Sequence, residues 1–378
     1  MQKKTSNLHA KFNAFVSTEG FKSFASSIMA IIFGLAVGFV MLIFANSKYA
    51  FDGLIALLTG GFADGMKSLG NVFYLATPII MTGLSVGFAF KTGLFNIGGS
   101  GQYLAGAFVG IYISATWTFI PSSVLWIVAL AGSALAGALW AFVPGLLKAT
   151  RNVNEVITAI MMNYIGVYLV NHLIPLSPIY DSTRNQTVPP RSYIPRAGLD
   201  LIFPDSSISA SILIAIACVV IVYIVLNKTT FGYELKACGY NQNAGKYAGI
   251  NEKKCIILSM VIAGALSGLA GGLAHLANTG KYISVVDVLP QDGFDGIAVA
   301  LLGLSNPGGI FLAGTFIAYL RQGGFFMQRY GYVTEVINII IATIIYCSAF
   351  SAAFKNILTK IKSKKNNKEQ KKVAGEEK

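Results

Sequence analysis

Asn96 and Gln102 stand six residues apart in the stretch KTGLFNIGGSGQ that begins at Lys91. Side-chain amides inside an apolar run can hydrogen-bond a neutral solute, or they can cap and pack helices; both readings are open here. Asn163 and Tyr164 form a second pair, a turn or more into the apolar run that follows Asn152-Val153-Asn154-Glu155. Glu155 itself suits the first turn of a helix, where negative charge is favoured. A third group is Asp292 and Asp295 in QDGFDG, beside a short apolar stretch broken at GLSNPGG. Half-length helices of that kind can aim backbone ends at a solute.

Other chemistries lack their parts. Gly245-Lys246 is followed by Tyr247 and Gly280-Lys281 by Tyr282, so the chain has no GxxxxGK[ST] phosphate loop. His9, His172 and His275 are scattered, with no acid at metal or triad spacing, and read as interfacial or packing residues. No nucleophile stands with a base, which argues against an intramembrane hydrolase. Cys218, Cys238, Cys255 and Cys347 form no CxxC pair, so neither a disulfide nor a metal site is expected.

The elements that must position these residues follow from composition. The chain has 378 residues, 54% hydrophobic and 12% charged, with a mean hydropathy of +0.62. A globular domain carries about 25% charged residues. Forty glycines suit close helix packing in lipid. The fold class is therefore all-α, a polytopic membrane protein. The net charge of +13 gathers at the N-terminal tail, at 228–254 and after Phe354, an orientation signal rather than a nucleic-acid face.

A span takes about 20 apolar residues. Charge-free runs cover 24–47, 68–90, 92–147, 156–180, 206–227, 255–280, 296–320 and 336–354. The run 92–147 is too long for one span and divides at 117–123, and 296–320 is either two short spans or a re-entrant hairpin. That predicts about ten transmembrane or half-membrane helices within 24–354, a retained first span, a cytosolic tail at 1–23 and a disordered basic tail at 355–378. The Pro-rich loop 174–207, with Arg184, Arg191 and Arg196, belongs outside; both termini and 228–254 belong inside. An ion-coupled secondary transporter would need ionisable groups within the spans, and the charge-free runs supply none.

The polar island 228–254 holds five Lys and two Glu between two apolar runs. Its segment KACGYNQNAGKYAGI predicts one short helix ending near Gly249, a position suited to a left-handed cap.

Four strings in order resemble one family: Phe95-Asn96-Ile97-Gly98 with Gly101-Gln102; Asn154-Glu155-Val156-Ile157 with Met162-Asn163-Tyr164; Gly239-Tyr240-Asn241, Ala244 and Ala248-Gly249-Ile250; and GFDGIAVALLG from Gly293. It is the inner-membrane permease subunit of bacterial ABC importers for branched-chain amino acids, simple sugars and nucleosides. The last string is most similar to nucleoside-importing (guanosine- and uridine-type) members, and the resemblance runs from about residue 30 to 350. Many relatives carry an acid where this chain has Ser100, so an ionic contact there is lost.

The resemblance implies a bacterial cytoplasmic-membrane location and a second permease subunit, identical or paralogous. It also implies cytosolic ATPase subunits that bind the ATP, an extracytoplasmic solute-binding lipoprotein, and no cofactor on this chain. It makes the island the ATPase coupling loop, through Gly239, Asn241, Ala244 and Gly249. The solute is then a nucleoside, with a ribose- or galactose-type sugar or riboflavin as alternatives. Because a nucleoside is neutral, its path needs aromatic and amide groups, which Phe88, Phe90, Phe95, Asn96, Gln102, Asn163 and Tyr164 supply.

Overall fold

Backbone N–H and C=O groups in lipid must be satisfied within the chain, so long apolar runs become helices. The structure, a computed structural model, describes residues 19–349. The expected disordered tail at 355–378 and nearly all of the tail at 1–23 lie outside those residues. The first half comprises α1 (Glu19–Asn46), α2 (Ala50–Thr59), α3 (Met66–Lys91), α4 (Gly99–Thr116), α5 (Ser122–Arg151) and α6 (Glu155–Leu176). A two-stranded hairpin follows, β1 (Tyr180–Asp181) against β2 (Gln186–Thr187), antiparallel with Tyr180 opposite Thr187. Next come α7 (Leu199–Ile202), α8 (Ser211–Lys228), α9 (Thr230–Tyr240), α10 (Gln242–Tyr247) and α11 (Glu252–His275). The chain ends with α12 (Gln291–Leu302), α13 (Pro307–Met327) and α14 (Thr334–Ala349). Among the described residues seven helical segments are long and apolar enough to cross a membrane. The more polar α4 and the shorter α12 and α14 complete the all-α, multi-pass set.

The chain divides into two units, one of residues up to Ile55 with those from Met327 onward, the other of Ala56–Phe326. In the first, α1 packs along α14, and Tyr332 Oη donates to Asn46 O at 3.1 Å. In the second, α11 is the centre, packed on α3, α4 and α5. It crosses α4 backbone to backbone: a Cβ on Gly106 would lie 2.2 Å from Gly268 O. Only glycine permits that approach. Thr92 Oγ1 donates to Ser259 Oγ at 2.7 Å and Ser85 Oγ to Ala263 O at 2.6 Å, so α3 and α11 run antiparallel. Ser267 Oγ donates to Gly99 O at 2.9 Å, and Tyr103 packs on His275, so α4 and α11 run parallel.

The broken run resolves into a helical hairpin of one half-length and one span-length arm. With 12 residues, α12 is half the length of a span. The chain turns at Gly303–Asn306, with Leu304 and Ser305 at φ 54° and 52°, and returns as the 21-residue α13. Gly296 and Val299 lie against Thr82 and Gly83 of α3, while Ile310 and Gly314 lie against Gly87 and Ile80, so α12 follows α3 and α13 opposes it. One expectation fails here. The apolar run was ended at Leu320 because a charge follows, but α13 continues to Met327 and carries Arg321 within the helix.

Two non-helical links, 92–98 and 276–290, connect bundle helices. The second is braced by the 174–207 loop: Thr187 N donates to Ile283 O at 3.0 Å, and Ile194 N to Leu276 O at 2.9 Å. The Pro-rich loop is thus a structured buttress.

Candidate functional site

The link 92–98 is where the predicted amides meet. Asn96 Nδ2 donates to Gln102 Oε1 at 2.9 Å and to Ser85 Oγ at 3.1 Å, and Gln102 Nε2 returns a bond to Asn96 Oδ1 at 2.9 Å. Asn163, from α6, accepts from Gly101 N at 2.8 Å and donates to Ile97 O at 3.0 Å. Asn163 thereby satisfies backbone groups that the break in helix would otherwise leave unpaired, while Asn96 and Gln102 pair with each other across the link. Asn96, Gln102 and Asn163 are sealed, with 0%, 1% and 1% of their surface exposed. Phe88 is buried within α3, and Phe90 stacks on Phe95 with centroids 5.3 Å apart. Tyr164 stands half exposed on α6, away from this sealed group. Ser100, the position without an acid, donates to Pro290 O at 2.7 Å and ties the start of α4 to the start of α12.

One residue beyond Gln102 a second network begins, which the sequence reading placed only in part. Tyr103 Oη donates to Asp292 Oδ2 at 3.0 Å, and Lys281 Nζ donates to both, at 3.1 Å to Tyr103 and 2.5 Å to Asp292. Arg321 pairs with Asp295 and approaches Asp292 Oδ1 at 3.7 Å. Link 276–290, α4, α12 and α13 each contribute. The side chains of Lys281, Asp292 and Arg321 keep 34%, 19% and 27% of their surface exposed, while Asp295 keeps 8%. Burial alone would lower the pKa of the Lys281 ammonium; Tyr103 and Asp292 outweigh it and hold the group above the ordinary lysine value, so it stays charged. Asp292 and Asp295 were visible in sequence as a pair. Lys281, 11 residues upstream on an irregular link, had no periodicity to place it, and Tyr103 reads as one more aromatic in a span.

The island departs from the expected single helix. The chain breaks at Asn241, with φ −159° and ψ 107°, leaving α9 and the six-residue α10. Asn241 Oδ1 accepts from Ala244 N at 3.1 Å, so this residue is the N-cap of α10. Gly249 does take the left-handed conformation, φ +80°, and Ile250 N donates to Gly245 O at 3.0 Å, a Schellman closure. Gly239 presses on the end of α3: a Cβ there would lie 2.4 Å from Lys91 O. A cavity of about 380 Å³ opens between Thr92–Gly93 and Gly239–Asn241. The exposed rings of Tyr240 and Tyr247 flank α10. Among the described residues no group of acids, histidines or cysteines could hold a metal ion.

The chain is similar to known membrane proteins along most of its length. It is 38% identical over 341 residues to the guanosine ABC transporter permease protein NupP of Bacillus subtilis, covering 90% of this chain and 97% of that one. It is 33% identical to the nucleoside ABC transporter permease protein NupB of Lactococcus lactis, over 91% and 96% of the two chains. Similarity to the glucose ABC transporter permease protein TsgB13 of Haloferax volcanii is 31%, over 88% and 89%. No solved structure matches. The description "branched-chain amino acid transport system / permease component" fits residues 68–349, which hold the amide link, the island and the hairpin α12–α13, and the chain belongs to that permease family, as the membrane subunit of an ABC importer.

Proposed function

We propose that the chain forms the path for a nucleoside across a bacterial cytoplasmic membrane. The observation that carries this reading is the similarity over nine-tenths of the chain to permeases named for guanosine and nucleosides. A sugar is the second reading, because the relative named for glucose matches over nearly as much of the chain. Both solute classes are neutral and both carry neighbouring hydroxyl groups.

In this reading the path follows α3, the link 92–98 and the start of α4. Phe88, Phe90, Phe95 and Tyr164 offer aromatic faces to a base, and Asn96, Gln102 and Asn163 offer amides once the sealed junction opens. Sealing in one state and opening in another is what alternating access requires. The island, with Gly239, Asn241, Ala244 and Gly249, faces a separate cytosolic ATPase that binds and hydrolyses the ATP. Its excess of lysines, with that of the two tails, supports a cytosolic position for the island and for both termini. An extracytoplasmic binding protein delivers solute at the opposite end, and a second permease subunit completes the pore.

The test is uptake by proteoliposomes that hold the chain with its permease partner and ATPase, supplied with loaded binding protein. Labelled guanosine should accumulate only with ATP inside the coupled compartment. Accumulation driven by a sodium or proton gradient without ATP would overturn the reading, and glucose taken up in preference to guanosine would favour the sugar.

A further inference from the structure

We propose that Lys281, Asp292 and Arg321 form a seat for two neighbouring hydroxyl groups of the solute, at the mouth of the path. The proposal rests on the importer reading above and adds which groups read the solute.

The cluster is electrically paired but not saturated. Among the described residues Lys281 Nζ uses two of its three N–H groups, on Asp292 and Tyr103. Asp292 Oδ2 accepts from both Lys281 Nζ and Tyr103 Oη, while Oδ1 has only the Arg321 Nη1 contact at 3.7 Å, beyond hydrogen-bonding range. A hydroxyl oxygen fits such a gap, accepting from the guanidinium and donating to the carboxylate. The spare N–H of Lys281 serves a second hydroxyl on the adjacent carbon. The amides of Asn96 and Gln102 are instead sealed, with almost no exposed surface through which a solute hydroxyl could reach them in this state.

Exposure and position point the same way. Charged groups that faced lipid would be costly, so the open side of this cluster faces water or the solute path. It lies by His275, at the far end of α11 from the island. The 24 residues of α11 place the two ends about 36 Å apart at 1.5 Å per residue. With the island on the ATPase side, the cluster lies where solute is delivered. Tyr103 is a positioning residue: its hydroxyl holds Lys281 and Asp292 together from α4. The hairpin α12–α13 supplies the carboxylates and Arg321, so its turn back brings them together there.

The test compares a ribonucleoside with its 2′,3′-dideoxy counterpart at saturating loaded binding protein, in the reconstituted importer. Maximal rates, rather than affinities, are read, so that selection by the binding protein does not enter. The wild type should move the ribonucleoside about tenfold faster or more, the loss expected when charged groups are left without their hydroxyl partners. Asp292→Asn and Lys281→Gln should bring the ratio toward one, chiefly by slowing the ribonucleoside. A structural role alone would slow both solutes alike and leave the ratio standing. A wild-type ratio near one overturns the seat without recourse to any variant, as does a ratio unchanged in whichever variant assembles. Absence of ATP-dependent uptake for both solutes would instead refute the importer reading itself.

Discussion

Gln102 and Tyr103 are neighbours on α4, yet they belong to networks of opposite character. On one side Asn96, Gln102, Asn163 and Ser85 form a neutral, buried knot in which every amide is bonded to protein. On the other, Tyr103, Lys281, Asp292, Asp295 and Arg321 form a charged group with exposed faces and unused donors. In a sealed site a missing partner costs the full desolvation of the group left behind, so every bond must be made. At an open site water or solute can make the bond instead. Sealed bonds therefore mark the region that fixes the fold of the broken backbone, and partly exposed charged groups mark the region able to accept something from outside.

The largest expected effect is at Arg321. Arg321→Met leaves Asp295, the least exposed acid of the group, without its cation, and removing one member of a buried pair costs about 3–5 kcal/mol. Thermal unfolding of the detergent-solubilised protein should show that loss, and adding Asp295→Asn should recover most of it. A single variant as stable as the wild type would mean that water already satisfies Asp295, and the contrast between the networks would narrow. Next comes Asn96→Leu, with the same branching and number of side-chain heavy atoms, which strands the Gln102 amide and should cost about 1–3 kcal/mol. If the amides also meet solute, uptake per folded transporter falls too; if it does not, they only hold the link together.

The island is the control for both, because it touches neither network. Gly249→Val places a side chain in open space, so its cost is backbone strain alone, about 1–2 kcal/mol at a left-handed position. The variant should insert and keep its preference between solutes, while ATP hydrolysis by the assembled importer stops responding to loaded binding protein. Gly249→Asn should be milder, since Asn tolerates this conformation. Full stimulation in Gly249→Val would remove the island from the coupling path.

How much of this was readable beforehand depended on whether a residue announces itself locally. Apolar runs of span length gave the helices, since lipid leaves no other way to satisfy their backbone. Gly249 was readable as a left-handed cap because few other residues fit there. Asn241 was not: an Asn inside a helical segment carries no sign that it will cap a new helix instead of continuing the old one. Arg321 was lost to a rule of thumb, the ending of a span at its first charge, although a paired arginine sits within α13. Lys281 and Tyr103 lie 178 residues apart and meet only because α4 runs parallel to α11. The fold was legible where the solvent dictates it; the charged site was not, because tertiary contact makes it.

The smallest effects give the sharpest comparison, because one chemical change can be made in both networks. Ser85→Ala and Tyr103→Phe each delete a hydroxyl and little else. Ser85 Oγ accepts from Asn96 Nδ2 and donates to Ala263 O, and both partners are sealed from water. Its loss leaves the carbonyl unpaired and one amide N–H short of a bond, which should cost about 1–2 kcal/mol. Tyr103 is itself buried, but the partners its hydroxyl leaves behind, Lys281 and Asp292, are partly exposed. Water can take its place there, so Tyr103→Phe should cost about 0.5 kcal/mol or less by the same reasoning. Transport should rank them in reverse: Tyr103→Phe loosens Lys281 from Asp292 and erodes the preference for a hydroxylated solute, whereas Ser85→Ala lowers the amount of folded transporter and leaves that preference alone. Unfolding midpoints measured beside rates for the two solutes separate these orders. Equal stability losses for the two variants would show that the charged network is as dry as the amide knot, and the distinction drawn between them would fall.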